Sequence, residues 1–152
     1  MTAFVSRLST VTTILFVLMV ASPAFAGPAA PSGSSAAQAA IAADITSGRR
    51  PDPAEARKLY DEGATFVDVR TDREWAGGRV KGAIHIPVKD VATEAAAKLP
   101  DKSLPIVTYC AAGPRAAKGA ATLRKLGYKN VVAMTSGYPE WKAANYPVEL
   151  PK

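Results

Sequence analysis

Cys110 is the only cysteine in the chain, and the residues on both sides of it are suited to a reactive thiol. An apolar, β-prone run, 106–109, precedes it, and a helix-forming run from about 115 to 126 follows. The first N–H groups of a helix have no partner within the helix and carry partial positive charge, so they favour an anion. A thiol in such a setting ionises with a pKa lowered from ~8.5 to about 3.5–7.5. The pattern therefore predicts a nucleophilic cysteine at the end of a strand.

The candidate active-site loop continues after this cysteine with Ala111, Ala112, Gly113, Pro114 and Arg115. Gly113 allows a tight bend, and the loop N–H groups are expected to converge on the sulfur. Pro114 has no N–H, so we expect one donor fewer than another residue would provide. Arg115 is expected to hold the loop closed by pairing with a carboxylate, and it could also orient an anionic substrate.

Three charged residues upstream are the candidate supports of this loop. Asp68 lies near the end of a compact β-prone run, 65–69, and Arg70 follows it. Asp68 and Glu74 are the candidate partners of Arg115, and we expect structural roles for both. Arg70 is expected to pair within the protein rather than with substrate.

Helices and strands alternate along the rest of the chain. Asp52-Pro53-Ala54-Glu55 is a helix-start signal, with a capping Asp, Pro at the first helical position and Glu at the third. The predicted strands are 65–69, 82–87, 106–109 and 131–134. The predicted helices are 53–62, 71–75, 89–99, 115–126 and 139–143. The tail, 146–152, is expected to be extended. This alternation predicts an α/β domain with a mostly parallel sheet. Ligands of such sheets bind beyond the carboxyl ends of the strands, so Asp68 and Cys110 are expected to share that edge.

Residues 1–26 have the pattern of a secretory signal peptide. Arg7 precedes an apolar run, 11–21, that is shorter than the ~20 residues a membrane-spanning helix needs. The small-x-small pattern that ends at Ala26 is typical of a cleavage site. We predict cleavage after Ala26 and a periplasmic mature protein with no stable membrane association. An uncleaved anchor is the alternative.

Residues 27–51 form an Ala/Pro/Gly-rich lead-in to the predicted domain. The first part, 27–33, is typical of a flexible segment. Ser34 or Ser35 could cap a short Ala-rich helix over about 36–45. This helix has few large side chains, so we expect it to pack loosely.

Composition narrows the classes of function. Apolar residues make up 48% of the chain, which is enough for one domain with a core. The formal net charge of +6 favours small anionic substrates, but no Lys/Arg cluster is dense enough to indicate nucleic-acid binding. A single cysteine excludes an intrachain disulfide, a Cys-x-x-Cys redox motif and a multi-cysteine zinc site. The single histidine, His85, argues against a metal centre built on imidazoles.

Four short motifs along the chain resemble, in their order and spacing, those of a single-domain rhodanese, a member of a thiosulfate sulfurtransferase family. The resemblance covers about 52–147 and leaves 148–152 as a C-terminal tail. The motifs are Asp68-Val69-Arg70 with Glu74 and Trp75, then 78–87 (GRVKGAIHIP), 110–115 (CAAGPR) and 136–141 (SGYPEW). The second is similar to the family's Gly-His-Ile-x-Gly-Ala-x-x-Ile-Pro and the last to its Gly-Gly-x-x-x-Trp. Arg79 and Ser136 depart from these two patterns.

The resemblance implies a three-layer domain and a ping-pong sulfur transfer that needs no metal or organic cofactor. Cys110 would attack the outer sulfur of a donor such as thiosulfate, sulfite would leave, and the sulfur would remain on Cys110 as a persulfide. Cyanide or a thiol, including the thiol of a partner protein, would then accept the sulfur. A monomer is the default expectation.

Three other interpretations stay open. Related phosphatases and arsenate reductases use Cys-x5-Arg, whereas Arg115 lies five positions after Cys110, and the shorter loop favours one sulfur atom over a tetrahedral oxyanion. A non-enzymatic persulfide carrier or sulfide-binding module would carry the same residues. Cys110 could also be an inert buried thiol. Packing or surface roles, rather than chemical ones, are expected for His85, Trp75, Trp141 and Lys118.

Overall fold

The predicted alternation of helices and strands is present in the computed structural model, which describes residues 34–151. The predicted leader, 1–26, therefore lies outside the described residues. In chain order the helices are α1 (Ser35–Ser47), α2 (Pro53–Asp61), α3 (Asp72–Ala76), α4 (Val91–Lys98), α5 (Pro114–Lys125) and α6 (Tyr138–Ala143). The strands are β1 (Thr65–Asp68), β2 (Arg79–Val80), β3 (Ile84–His85), β4 (Ile106–Tyr109), β5 (Val131–Ala133) and β6 (Val148–Glu149). No helix within 34–151 is long and apolar enough to cross a membrane.

Four parallel strands, in the order β3-β1-β4-β5, form the central sheet. All residues of β1, β4 and β5 are buried, as expected for strands covered on both faces. In the register of β1 with β4, Asp68 lies opposite Tyr109. Because parallel strands end at one edge of a sheet, Asp68 and Cys110 share that edge, as predicted. The predicted α/β class is confirmed.

Helices cover both faces of this sheet. One face packs against α4 and α5 through Val91, Ala95, Leu99, Ala116, Ala120 and Leu123. The other face packs against α1, α2 and α6 through Ala37, Ile41, Ala56, Leu59, Tyr138 and Trp141. The domain therefore has three layers, with the sheet in the middle. Leu126, just after α5, is only partly buried.

Two capping boxes define helix starts near the site. At α2, Asp52 Oδ1 accepts the Glu55 N–H at 2.8 Å, and Glu55 Oε2 accepts the Asp52 N–H at 3.1 Å, as the sequence signal predicts. Thr71 and Glu74 form the same reciprocal arrangement at α3. Each box satisfies two N–H groups that the helix leaves without partners. The second box also holds the Glu74 carboxylate in place for a further contact.

Helix α1 is more tightly packed than its composition suggested. It begins after Ser34, whose side chain accepts the Ala37 N–H, and ends at Gly48, which has φ +68°. Ala37 and Ile41 are completely buried in the core of the second face. The prediction of loose packing is wrong because these two side chains, four residues apart, form an apolar stripe that is sufficient to dock the helix.

Strands β2 and β6 form a separate two-stranded antiparallel sheet that no sequence pattern indicated. Arg79 and Glu149 lie opposite each other and form an ion pair at 2.8 Å. The indole N–H of Trp141 donates to the Pro147 carbonyl at 3.0 Å and anchors the same segment. Strands of two residues are too short to show an alternating pattern in the sequence.

Candidate active site

Cys110 directly follows β4 and is 1% exposed. Its Sγ accepts the Gly113 N–H at 3.0 Å. Its carbonyl oxygen accepts the Tyr138 N–H at 2.8 Å. Among the described residues, a single backbone N–H donates to the sulfur, which is fewer than the converging set that was expected.

Gly113 forms the turn between the cysteine and α5. Its φ is +94°, a conformation that L side chains rarely adopt. A Cβ at this position would also overlap the carbonyl oxygen of Thr135. The turn therefore requires glycine, and this conformation directs the Gly113 N–H toward Cys110.

Helix α5 begins at Pro114, so Pro114 and Arg115 belong to its first turn. The helix thus starts one residue before the predicted 115, and its first turn contains the last two residues of the candidate loop. Proline suits the first helical position, since an N–H there would have no helical partner. The sulfur thus lies at the N-terminus of a helix, where the backbone N–H groups carry partial positive charge.

Arg115 pairs with Glu74 rather than with Asp68, the other candidate. Its Nη1 and Nη2 each donate to one carboxylate oxygen at 2.7 Å. This hydrogen bonding is the main cause that lowers the pKa of Glu74 from 4.5 to about 2. The same hydrogen bonds are the main cause that raises the pKa of Arg115 above its usual value, and the negative charge of Glu74 raises it further. The pair joins the start of α3 to the start of α5, next to the sulfur.

Asp68 and Arg70 form a buried ion pair below the site, and their side chains are 0% and 5% exposed. Arg70 Nη2 donates to Asp68 Oδ2 at 2.6 Å and to the Gly78 carbonyl at 2.7 Å. The guanidinium lies over the Tyr138 ring, 4.3 Å from its centroid. Arg70 is thus paired within the protein, and it connects the edge of β1 to Gly78, just before β2, and to Tyr138, the first residue of α6.

The backbone segment just before α6 packs closely against the loop and holds it in place. Gly137, from the fourth sequence motif, packs so tightly against the loop that a Cβ there would overlap the Ala111 carbonyl group. The Tyr138 N–H, one residue later, donates to Cys110. Ser136 has the position of a family glycine in that motif. At the second glycine position of the motif, the loop leaves no room for a side chain.

Arg50 is a contact of the loop that sequence patterns did not mark. It lies in the lead-in, and its guanidinium donates to the Gly113 carbonyl at 3.1 Å. The contact joins residues 63 positions apart. No periodicity, cap or turn signal predicts a contact over that separation.

His85 and Trp75 lie beside the site and contact each other. Their rings are stacked with centroids 4.7 Å apart, and His85 Nε2 lies 3.0 Å from the Arg70 carbonyl. Trp141 is completely buried, and Lys118 is exposed. These placements agree with packing or surface roles.

A cavity of about 290 Å³ opens next to Arg115. Its exposed walls are mainly apolar, from Val69, Pro87 and Val88 among others, and its lining also includes Arg70, Thr71, Asp72 and Lys89. Arg115 lines this cavity and lies in the first turn of α5, so the cavity opens beside the helix start that follows Cys110. Within 34–151, no three His, Cys, Asp or Glu side chains form a group that could hold a metal ion.

The site is thus a cysteine between a parallel strand and a helix, at the carboxyl edge of a three-layer α/β domain. Residues 52–144 match the family model described as the rhodanese-like domain, and the chain belongs to this family.

Curated relatives agree with this assignment. The thiosulfate sulfurtransferase GlpE of Pseudomonas fluorescens (strain SBW25) is 29% identical over 102 residues, which cover 67% of this chain and 91% of the relative. GlpE of Pseudomonas aeruginosa (strain LESB58) is 32% identical over 97 residues, which cover 64% of this chain and 86% of the relative.

Solved structures share the fold. The rhodanese-like domain of the Alr3790 protein from Anabaena sp. aligns with a TM-score of 0.60 and 27% identity, over 66% of this chain and 77% of that one. A human single-domain sulfurtransferase, TSTD1, aligns with a TM-score of 0.56 and 28% identity, over 62% of this chain and 95% of that one.

Proposed function

We propose that the protein transfers a sulfane sulfur from a small anionic donor, such as thiosulfate, to a thiol or cyanide. The observation that carries this proposal is the placement of Cys110 Sγ at the N-terminus of α5, within 3.0 Å of the Gly113 N–H. The names of the GlpE relatives support the choice of thiosulfate as the donor to test first.

In the first half-reaction the Cys110 thiolate attacks the outer sulfur of thiosulfate. A sulfur–sulfur bond forms to Cys110, the sulfur–sulfur bond of the donor breaks, and its electron pair leaves with sulfite. In the second half-reaction cyanide or a thiolate attacks the outer sulfur of the persulfide, and the Cys110 thiolate leaves. The helix N-terminus favours the anionic sulfur in both half-reactions.

Arg115 serves this reaction mainly by holding the start of α5. Its two hydrogen bonds to Glu74 occupy one edge of the guanidinium and cancel much of its charge. Arg115 also lines the cavity beside Val88, where a donor anion would bind close to the start of α5. We infer that Glu74 keeps Arg115 in this position, so that sulfur binding does not need to order a mobile side chain.

The decisive experiment compares the mature protein with Cys110→Ser. Sulfite release from thiosulfate plus cyanide should be measurable for the wild type and fall to background in the variant. Mass spectrometry after thiosulfate alone should show a mass increase of one sulfur atom on the wild type only. Hydrolysis of an aryl phosphate that depends on Cys110, without sulfur transfer, would contradict the proposal. A stable sulfur adduct without turnover on any free acceptor would indicate a persulfide carrier instead.

We also propose that the protein acts in the periplasm after removal of residues 1–26. The support is the sequence pattern that ends at Ala26. N-terminal sequencing of protein purified from the periplasmic fraction should begin at Gly27. Recovery of the full chain from the membrane fraction would favour the uncleaved anchor.

A further inference from the structure

Arg50 lies two positions before the family match, 52–144, yet it contacts the catalytic turn. Its Nη2 donates to the Gly113 carbonyl at 3.1 Å and to the Met134 carbonyl at 2.6 Å, and its Nε donates to the Ala133 carbonyl at 3.2 Å. All three acceptors are backbone carbonyls, so no carboxylate in these hydrogen bonds cancels the charge of the guanidinium.

Gly113 is consequently held through both of its backbone groups. Its N–H donates to Cys110 Sγ, and its carbonyl accepts from Arg50 and from the Ala117 N–H at 3.0 Å. Glycine has more backbone freedom than any other residue, so its conformation depends on such contacts. The Arg50 guanidinium is thus the side-chain contact that holds the carbonyl of the residue whose N–H faces the sulfur.

The same side chain connects the turn to a rigid part of the core. Ala133 ends β5 and Met134 is completely buried after it. The Thr135 N–H donates to the Pro51 carbonyl at 2.9 Å, which fastens the backbone next to Arg50 to the same segment. A planar guanidinium with several donors can bind these diverging carbonyls together, whereas an ammonium group acts as a point charge.

We propose that Arg50 is a positioning residue for Cys110. It fixes the Gly113 backbone so that its N–H stays on the sulfur, and the segment before the family domain is therefore part of the catalytic unit. The expected effect of Arg50 on turnover rests on the proposed sulfur transfer, whereas its expected effect on the reactivity of the Cys110 thiol does not.

The test compares Arg50→Met with two matched variants. Arg124→Met removes a guanidinium that donates to the Val131 carbonyl of the same strand, β5, at 2.9 Å without a contact to Gly113. Arg49→Met removes the neighbouring arginine, which pairs with Asp44 and Glu55. Unfolding in urea establishes that each variant is folded.

The first readout is the rate of Cys110 alkylation by iodoacetamide as a function of pH. Arg50→Met should move the half-maximal pH upward, because the thiolate loses a well-placed donor. The second readout is sulfur transfer, where kcat should fall by about tenfold to a hundredfold while KM changes less. Arg124→Met and Arg49→Met should stay within about twofold of the wild type in both readouts. Arg50→Lys should recover part of the loss.

A wild-type pH profile in Arg50→Met, or an equal shift in Arg124→Met, would overturn the proposal. If Arg50→Met does not fold, the alkylation profile of Arg50→Lys is measured instead. A wild-type pH profile in Arg50→Lys would then overturn the proposal. If the wild type itself transfers no sulfur, the proposed function fails, but the alkylation profiles still decide the role of Arg50.

Discussion

Glu74 connects two helix starts through one carboxylate. Its Oε2 accepts from Arg115 at 2.7 Å and from the Thr71 hydroxyl at 2.8 Å. The capping box at α3 thus also sets the position of the first turn of α5, where the sulfur lies. Because the carboxylate must be ionised for the pair with Arg115, this connection depends on pH.

Glu74→Gln is expected to lower the free energy of unfolding by about 1 kcal/mol at neutral pH, since the pair is partly exposed and screened by solvent. The folded-state pKa of Glu74 is lowered from 4.5 to about 2, so the stabilisation is complete above 4.5 and is lost as the pH falls toward about 2. Urea unfolding of both proteins across this range measures the difference.

Asp61→Asn is the control for this prediction, because it breaks the exposed Arg57–Asp61 pair away from the site. It should leave sulfur transfer unchanged. A stability difference between wild type and Glu74→Gln that does not shrink at acidic pH would show that the carboxylate charge contributes nothing.

Gly113→Ala tests whether the turn requires glycine. The substitution adds the strain of a positive φ, about 1–2 kcal/mol, and an overlap with the Thr135 carbonyl. Gly48→Ala is the matched control, since Gly48 also has a positive φ but no atom within 4 Å of an added Cβ. Both variants should lose stability in urea, Gly113→Ala more so, and only Gly113→Ala should lose sulfur transfer, by at least about tenfold. Full activity of Gly113→Ala would contradict this account of the turn.

Among the helices and strands, the catalytic edge joins the ends of β1 and β4 to the starts of α3 and α5. The tight turn before α6 closes this edge through the contact of Gly137 with Ala111. Helix α1 belongs to the same structure, because it packs on β5 and leads directly into Arg50. The described part of the lead-in, 34–51, is thus an additional element of the folded domain.

Ile41→Ala tests the docking of α1. Ile41 is completely buried, so its truncation should cost about 2–5 kcal/mol through lost burial and the cavity that remains. Ile45, one turn later on the same helix, is 37% exposed, and Ile45→Ala should cost about 0.5 kcal/mol or less. Equal unfolding midpoints for the two variants in urea would mean that α1 is not part of the core.

Across the molecule as a whole, basic residues outnumber acidic ones, and the formal net charge is +6. A positive protein attracts anionic reagents at low salt, and this attraction is screened as ionic strength rises. Because Cys110 is the only cysteine, alkylation reports on this one site.

The rate of Cys110 alkylation by iodoacetate, an anion, should therefore fall by about twofold to tenfold as the salt concentration rises from about 0.01 M to 1 M. Iodoacetamide is neutral and of similar size, so its rate should stay nearly constant and serve as the control. The same salt dependence for both reagents would show that the net charge does not steer anions to the site.

Local patterns were enough to predict the alternation of elements, the capping box at Asp52 and the strand–cysteine–glycine–helix unit at Cys110. These features depend on residues a few positions apart, where backbone propensity, side-chain capping and periodicity act directly. The family resemblance rested on the same short motifs.

Folding alone decided which partners meet at the site. Asp68 and Glu74 were both candidate partners of Arg115. Glu74, at the start of α3, is the partner, whereas Asp68 pairs with the buried Arg70. The contact of Arg50 with Gly113 and the pairing of β2 with β6 join distant parts of the chain and leave no local signal. Such contacts depend on where whole elements pack, so the cysteine could be recognised from its neighbours in the sequence, whereas the side chains that hold its turn in place could not.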